Sequence, residues 1–200
     1  MKKVGVLISG RGTNLQALID AAEAGALGAR IALVVSNVES AAGLLRARRA
    51  GLPAEVCDHR GRSREEHDAA LVALMQAQGV DLVCLAGYMR LLSPVFLRAF
   101  PDRILNVHPS LLPAFPGRDA QRQAWEHGVK VSGATVHFVE ATLDSGPIVL
   151  QEAVPVLDDD GPDQLAGRIL EAEHRIYPSA VRTFLEGRLR REGRRLRLQG

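Results

Sequence analysis

Lys3 to Ala22 reads KVGVLISGRGTNLQALIDAA, and the fold is decided there. Lys3 to Ile8 is a largely apolar run of strand length, and Leu15, Leu18, Ile19 and Ala22 then recur on one helical face. SGRGTN, from Ser9 to Asn14, is therefore a glycine loop between strand and helix. Such a turn aims free backbone N–H groups and a helix amino terminus at the loop, a natural anion site, and Thr13 or Asn14 can add a side-chain donor. No Gly-Lys-Ser/Thr ending follows, which excludes the nucleoside-triphosphate loop. Gly10-x-Gly12 has Leu15 where a third glycine belongs, and the second strand ends in Ser36-Asn37 without an acid for a ribose diol, so a dinucleotide is disfavoured. A small phosphate ester fits better; the alternative is a plain glycine turn with an Asn cap.

Working outward, Ile31 to Val35 is a second strand, Ala41 to Ala50 a short helix, and Ala54 to Cys57 a weaker third strand. Ser63 and Glu66 form a capping box for a helix that runs to about Gln78. Arg64, in its first turn, is disfavoured there by the helix dipole and reads as an ordinary solvated arginine. Asp81 to Leu85 is a fourth buried strand that runs into AGYMRLLSP, Ala86 to Pro94. The Tyr, Met, Leu and Arg side chains of that loop suit a flat heterocycle with a charged tail, or else they cover the sheet edge. Ser93-Pro94 opens a helix ending near Phe100.

The fifth strand lies in RILNVHPSLLP, Arg103 to Pro113, where Asn106 and His108 share one parity and point to one side at the strand's carboxyl end. Together they suit a proton-dependent reaction on a carbonyl, or they merely tie down the turn. Five strands alternating with helices predict an α/β fold, a mostly parallel central sheet with helices on both faces. Residues 109 to 118, PSLLPAFPGR, form a stiff non-periodic loop of the kind that folds over a site, before a helix from Asp119 to His127. Val131 to Val139 and Ile148 to Val156 form an antiparallel C-terminal strand pair, joined by EATLDSGP with Asp144 in it. Asp158 to Gly161 resembles a calcium loop, but its first and last ligands would be Val156 and Gly167; the acids read instead as the N-terminal cap of the next helix. That helix runs from Pro162 to about Leu185, with Pro178 expected to kink or break it. Glu173 sits on the margin of its apolar stripe and needs a partner, either an arginine of the protein or a ligand.

The chain has 200 residues with 4% aromatics, so its core rests on aliphatic side chains. Net charge is +2, but the last thirteen residues, RLRREGRRLRLQG, hold six Arg against one Glu and carry +5, which leaves about −3 on residues 1 to 187. A basic tail on a slightly acidic body argues against a whole-surface nucleic-acid binder, and the tail is expected to do no more than aid solubility or touch anions weakly. Residues 1 to 187 are expected to form one domain, with a phosphate-binding half over about 1–100 and a catalytic half over about 101–187. Cys57 and Cys84 read as buried thiols in a reducing cytosol. Neither a signal peptide nor an apolar run of membrane length is present, so a soluble cytoplasmic protein is expected.

The six His show no HExxH or i, i+4 pair, and no Ser lies in G-x-S-x-G, so no metal is expected and a serine hydrolase is disfavoured. Asn106, His108 and the carboxylate of Asp144 remain. A carboxylate near an imidazole favours its protonated form, and an amide adds a neutral donor, a pairing that suits the oxyanion of acyl transfer.

NVHPSLLP, SGRGTN, AGYMRLLSP and SGATVHFVEATLDSGPIVLQ, in that spacing between Val4 and about Tyr177, resemble the glycinamide ribonucleotide formyltransferases, folate-dependent enzymes of purine biosynthesis. The resemblance implies a Rossmann-like formyltransferase fold and transfer of a formyl group from 10-formyltetrahydrofolate to a ribose-phosphate glycinamide amine. It implies that Gly12, Thr13 and Asn14 hold the phosphate and that Glu173 meets the ribose or amide end of the substrate. The folate would lie against Arg64, Met89, Arg90, Leu91 and Leu92, and against the Glu140 to Asp144 loop. Asn106, His108 and Asp144 become the catalytic trio. The implied protein acts on small molecules without nucleic acid or membrane, as a monomer or homodimer. Asp119 departs from the pattern, which carries His at that place after Pro-Gly. A 10-formyltetrahydrofolate hydrolase shares the folate motifs, and a non-catalytic module binding RNA through the Arg tail is the alternative from another class.

Overall fold

The computed structural model describes residues 1–199, in two compact units, Met1–Asn106 and a second beginning at Val107. The first contains β1 (Lys2–Ile8), α1 (Thr13–Glu23), β2 (Ala29–Ser36), α2 (Ala42–Arg49), β3 (Ala54–Val56), α3 (Arg64–Ala77), β4 (Leu82–Leu85) and α4 (Pro94–Ala99), and ends in β5 (Ile104–His108), whose last two residues open the second unit. The strands lie in the order β3-β2-β1-β4-β5, all parallel. Consecutive residues Val6, Leu7 and Ile8 are all fully buried, so β1 is covered on both faces, which is why it reads as an unbroken apolar run. The chain winds from β1 through β2 to β3, then returns to place β4 on the other side of β1. β1 and β4 therefore flank the reversal of winding, where open α/β sheets hold their ligands beyond the strands' carboxyl ends.

Local chemistry sets the elements around that point. Ser63 caps α3 as expected: its hydroxyl accepts the Glu66 N–H at 3.2 Å and its own N–H donates to the Glu66 carboxylate at 2.8 Å. The cap of α1 is Gly12, not an Asn side chain, and Gly12 is left-handed at φ +71°. α2 approaches the glycine loop so closely that Gly43 N–H donates to Gly10 O at 3.0 Å, and a Cβ on Gly12 would stand 2.6 Å from Gly43 Cα. Neither Cys57 nor Cys84 is in a disulfide, both are buried, and burial pushes the Cys57 thiol up, away from the reactive thiolate.

The second unit contains α5 (Ala120–His127), β6 (Val131–Phe138), β7 (Ile148–Pro155), α6 (Pro162–Leu185), β8 (Leu189–Glu192) and β9 (Arg195–Leu198). β6 and β7 are antiparallel, as expected, with Thr135 opposite Gln151, and α6 packs on both. Two expectations are corrected here. α6 is not broken at Pro178, because its buried face continues through Ile176, Tyr177, Ala180 and Val181, and this packing outweighs the lost backbone bond. The acids before α6 do not cap it; the cap is Gly161, and Asp160 instead takes the Arg168 guanidinium in two bonds of 2.6 and 2.9 Å, which hold its carboxyl below the usual carboxylate range. The Arg-rich end contains an antiparallel hairpin, β8–β9, in which β9 alternates arginine with leucine. Among the described residues, no helix is long and apolar enough to cross a membrane.

Candidate active site

In the second unit His108 and Asp144 meet. Nδ1 of His108 lies 3.5 Å from Oδ2 of Asp144, and both side chains are more than nine-tenths buried. His108 reaches this place as the last residue of β5; Asp144 stands in the short β6–β7 connector with a left-handed backbone at φ +47°. The proline-rich loop after β5 holds both partners. Phe115 O accepts from His108 Nε2 at 2.8 Å, and Gly117 N–H donates to Asp144 Oδ2 at 2.8 Å. A carbonyl only accepts, so Nε2 carries hydrogen in either charge state of the ring. Nδ1, beside the carboxylate, is the atom left to gain or lose a proton.

The loop is itself fastened to the strand pair. Thr135 Oγ1 donates to Ser110 O at 2.7 Å and accepts Leu112 N–H at 3.1 Å, while Gln151 Nε2 donates to Leu112 O at 2.9 Å. Ser110 Oγ donates to Ala114 O at 2.5 Å, which sets the turn that presents Phe115 O. Asp119 follows as the left-handed N-cap of α5, its side chain exposed and making no cap bond.

A third side chain joins the pair. His137 on β6 is 2% exposed, and its Nε2 lies 3.8 Å from the other carboxylate oxygen of Asp144. Burial pushes the His137 pKa down, against the smaller upward pulls of the Phe138 carbonyl and Asp144. Its Nδ1 meets that carbonyl at 2.8 Å. Strand parity could have found it, since Thr135 and His137 share a side of β6 just before the Asp144 connector. Phe115 and Gly117 act through backbone atoms and leave no side-chain signal.

The first unit carries the glycine loop and the Met89 to Leu92 segment on the two strands that flank the switch point. α1 starts at Thr13, so the glycine loop ends at a helix amino terminus, and Asn14 in its first turn is buried. Met89 and Leu91 are 65% and 56% exposed, apolar surface left open in the segment that follows β4, which would suit a flat ring. That segment is tied at both ends: Met89 N–H donates to Ser9 Oγ at 2.9 Å, and Ser93 N–H donates to the buried Asp68 carboxylate at 2.5 Å. Arg64, in the first turn of α3 and one turn before Asp68, is half-exposed, with its Nε 3.9 Å from the Glu65 carboxylate.

Asn106 stands two residues before His108 on β5 and shares its face by parity. In the second unit Glu173 is buried on α6. Glu140 is held by Arg191 of the C-terminal hairpin at 2.7 Å, and Arg194 donates to Ser145 O at 2.5 Å. The Arg-rich end, expected to do no more than aid solubility or touch anions weakly, thus contacts both sides of the Asp144 connector.

An open parallel sheet with ligand loops at its switch point, and a buried His–Asp pair, define an α/β enzyme that moves protons. The chain belongs to the formyl transferase family, whose model matches residues 2–181. It is 46% identical over 191 residues to the phosphoribosylglycinamide formyltransferase of Haemophilus influenzae, covering 95% of this chain and 90% of that one. It is 50% identical to part of the trifunctional purine biosynthetic protein adenosine-3 of Drosophila melanogaster, of which it spans only 14% of the length while 93% of this chain is covered. The crystal structure of glycinamide ribonucleotide transformylase 1 from Symbiobacterium toebii matches with a TM-score of 0.98 at 60% identity, covering 100% of this chain and 95% of that one. A formyltetrahydrofolate deformylase from Pseudomonas syringae pv. tomato matches at 28% identity and a TM-score of 0.93, and the chain covers 66% of it.

Proposed function

We propose that the protein transfers a formyl group from 10-formyltetrahydrofolate to the amine of 5-phosphoribosylglycinamide, in the purine pathway of the cytoplasm. The observation that carries this is the buried His108–Asp144 contact at 3.5 Å, held from both sides by the loop after β5. Residues 1–187 act as one formyltransferase domain. Gly12, Thr13 and Asn14 hold the phosphate, and Glu173 takes the ribose or amide end of the substrate. Arg64 and Met89 to Leu92, with Glu140 and Asp144, take the folate.

Asn106 and Nδ1–H of His108 donate to the formyl oxygen as it becomes an oxyanion. The substrate amine forms its bond to the formyl carbon and loses a proton; the bond from that carbon to folate N10 breaks, and N10 gains a proton. Nδ1 of the imidazolium gives its proton to N10 as the bond to the formyl carbon breaks and then takes the proton that the amine loses, so the ring ends as it began; Asp144 faces the imidazolium as counter-charge and Phe115 O, accepting from Nε2, prevents the ring from turning. The test is turnover of 10-formyltetrahydrofolate with and without glycinamide ribonucleotide. Deformylation that needs the amine supports the transferase. Equal deformylation without it favours the hydrolase reading, which the likeness to the deformylase motivates, and no turnover rejects both.

A further inference from the structure

Ser9 is the residue at which two ligand loops are fastened to each other. It leaves β1 and opens the glycine loop, yet it bonds to the segments that follow two other strands. Its N–H donates to Gly87 O at 3.1 Å, its hydroxyl oxygen accepts the Met89 N–H at 2.9 Å, and its hydroxyl hydrogen goes to Asn37 Oδ1 at 2.5 Å. Asn37 follows β2 and is 4% exposed, so the hydroxyl's far anchor is itself buried. With its single hydrogen spent on Asn37, the hydroxyl meets the second loop only as an acceptor, and the Met89 amide is fixed accordingly. The loop that carries Met89 is pinned at its other end by Asp68 on Ser93 N–H, so motion at Ser9 has one free end to act upon.

We propose that Ser9 is a positioning residue that couples the phosphate loop to the folate loop, so that a phosphate ester bound on one orders the other. This rests on the ligand assignments of the proposed function. A link of this kind must be reciprocal: each ligand tightens the other by the same factor. Arg46, by contrast, which donates to Arg11 O at 2.9 Å, braces the glycine loop from α2.

The experiment is calorimetric titration of the full chain with glycinamide ribonucleotide and with a non-transferring 5,8-dideazafolate, each alone and in the presence of the other. Wild-type protein is expected to show a mutual tightening of about fivefold or more, the lower range of measured couplings. Ser9→Ala is expected to bind each probe alone but to lose the mutual factor, and Ser9→Thr, which keeps the hydroxyl, to recover it. Amide exchange gives a second readout: glycinamide ribonucleotide alone should slow exchange at Met89 in the wild type and in Ser9→Thr, but not in Ser9→Ala. Coupling retained in Ser9→Ala, or its absence from a wild-type protein that binds both probes, overturns the inference while leaving the function reading intact. A wild-type protein that binds neither probe overturns both.

Discussion

Asp144 meets His108 at 3.5 Å while the same carboxylate oxygen accepts the Gly117 N–H at 2.8 Å. Asp144→Asn keeps an oxygen for Gly117 but removes the charge beside Nδ1. The expected result is a fall in kcat of about 10²- to 10⁴-fold, the usual worth of a positioned proton-transfer group, with the melting temperature little changed. His108→Ala should fall at least as far. Activity within a few fold of wild type in either variant, by steady-state assay, would reject the catalytic assignment.

Burial holds the His137 ring below its ordinary pKa of 6.5. The unfolded chain therefore takes up this proton before the folded protein does. The contribution of the neutral ring to stability is complete above about pH 6.5 and is lost as pH falls from there through the depressed folded value. His137→Gln cannot titrate, so its unfolding free energy should fall less steeply over that window. Urea unfolding at stepped pH from about 7.5 to 5 measures both slopes, and identical slopes would contradict the assignment.

Gly43 meets Gly12 without room for a methyl group. A Cβ at Gly43 would lie 2.6 Å from Ile8 Cδ1 and 3.2 Å from Gly12 Cα. Gly43→Ala should displace the glycine loop and weaken binding of ribose 5-phosphate roughly tenfold, an effect of about 1.4 kcal/mol. Folate binding should change less. Unaltered ribose 5-phosphate affinity would show that the loop does not need this close approach.

Asp68 is 1% exposed and holds the Ser93 N–H at the start of α4. Asp68→Ala leaves that buried donor unpaired, a cost of about 1–3 kcal/mol in unfolding free energy. It should also raise the KM for folate, because the Met89 to Leu92 segment loses one anchor. Chemical denaturation and initial-rate measurements read the two effects separately, and a stable variant with unchanged KM would show the anchor to be dispensable.

Arg191 reaches Glu140, and both side chains are more than a third exposed or nearly so, at 40% and 34%. Exposed pairs are worth about 0.2–1 kcal/mol, so Arg191→Ala should cost kcat/KM no more than about fivefold, through a looser Asp144 connector. The deficit should shrink in high salt, which already screens the wild-type pair. A deficit that persists unchanged in 1 M salt would mean that the arginine acts by packing instead.

Period and punctuation alone make the strand, glycine loop and helix of residues 3–22 legible, and the same holds for the capping box at Ser63 and the shared parity of Asn106 and His108. These are local properties: side-chain alternation, helix capping and the stiffness of proline act within a few residues. Four ordered motifs then identify the family. What sequence could not supply is anything that depends on which distant segments meet. Only the tertiary structure brings Asp144 to His108 across 36 positions, adds His137 to them, and turns backbone atoms of Phe115 and Gly117 into their supports. It also carries α6 through Pro178, where burial outweighs a local breaker, and folds the arginine-rich end onto the β6–β7 connector, where composition alone reads as solvated charge. The strand–loop–helix at residues 3–22 is thus decided locally, whereas the chemistry of the site is decided by packing and hydrogen bonds between residues far apart in the chain.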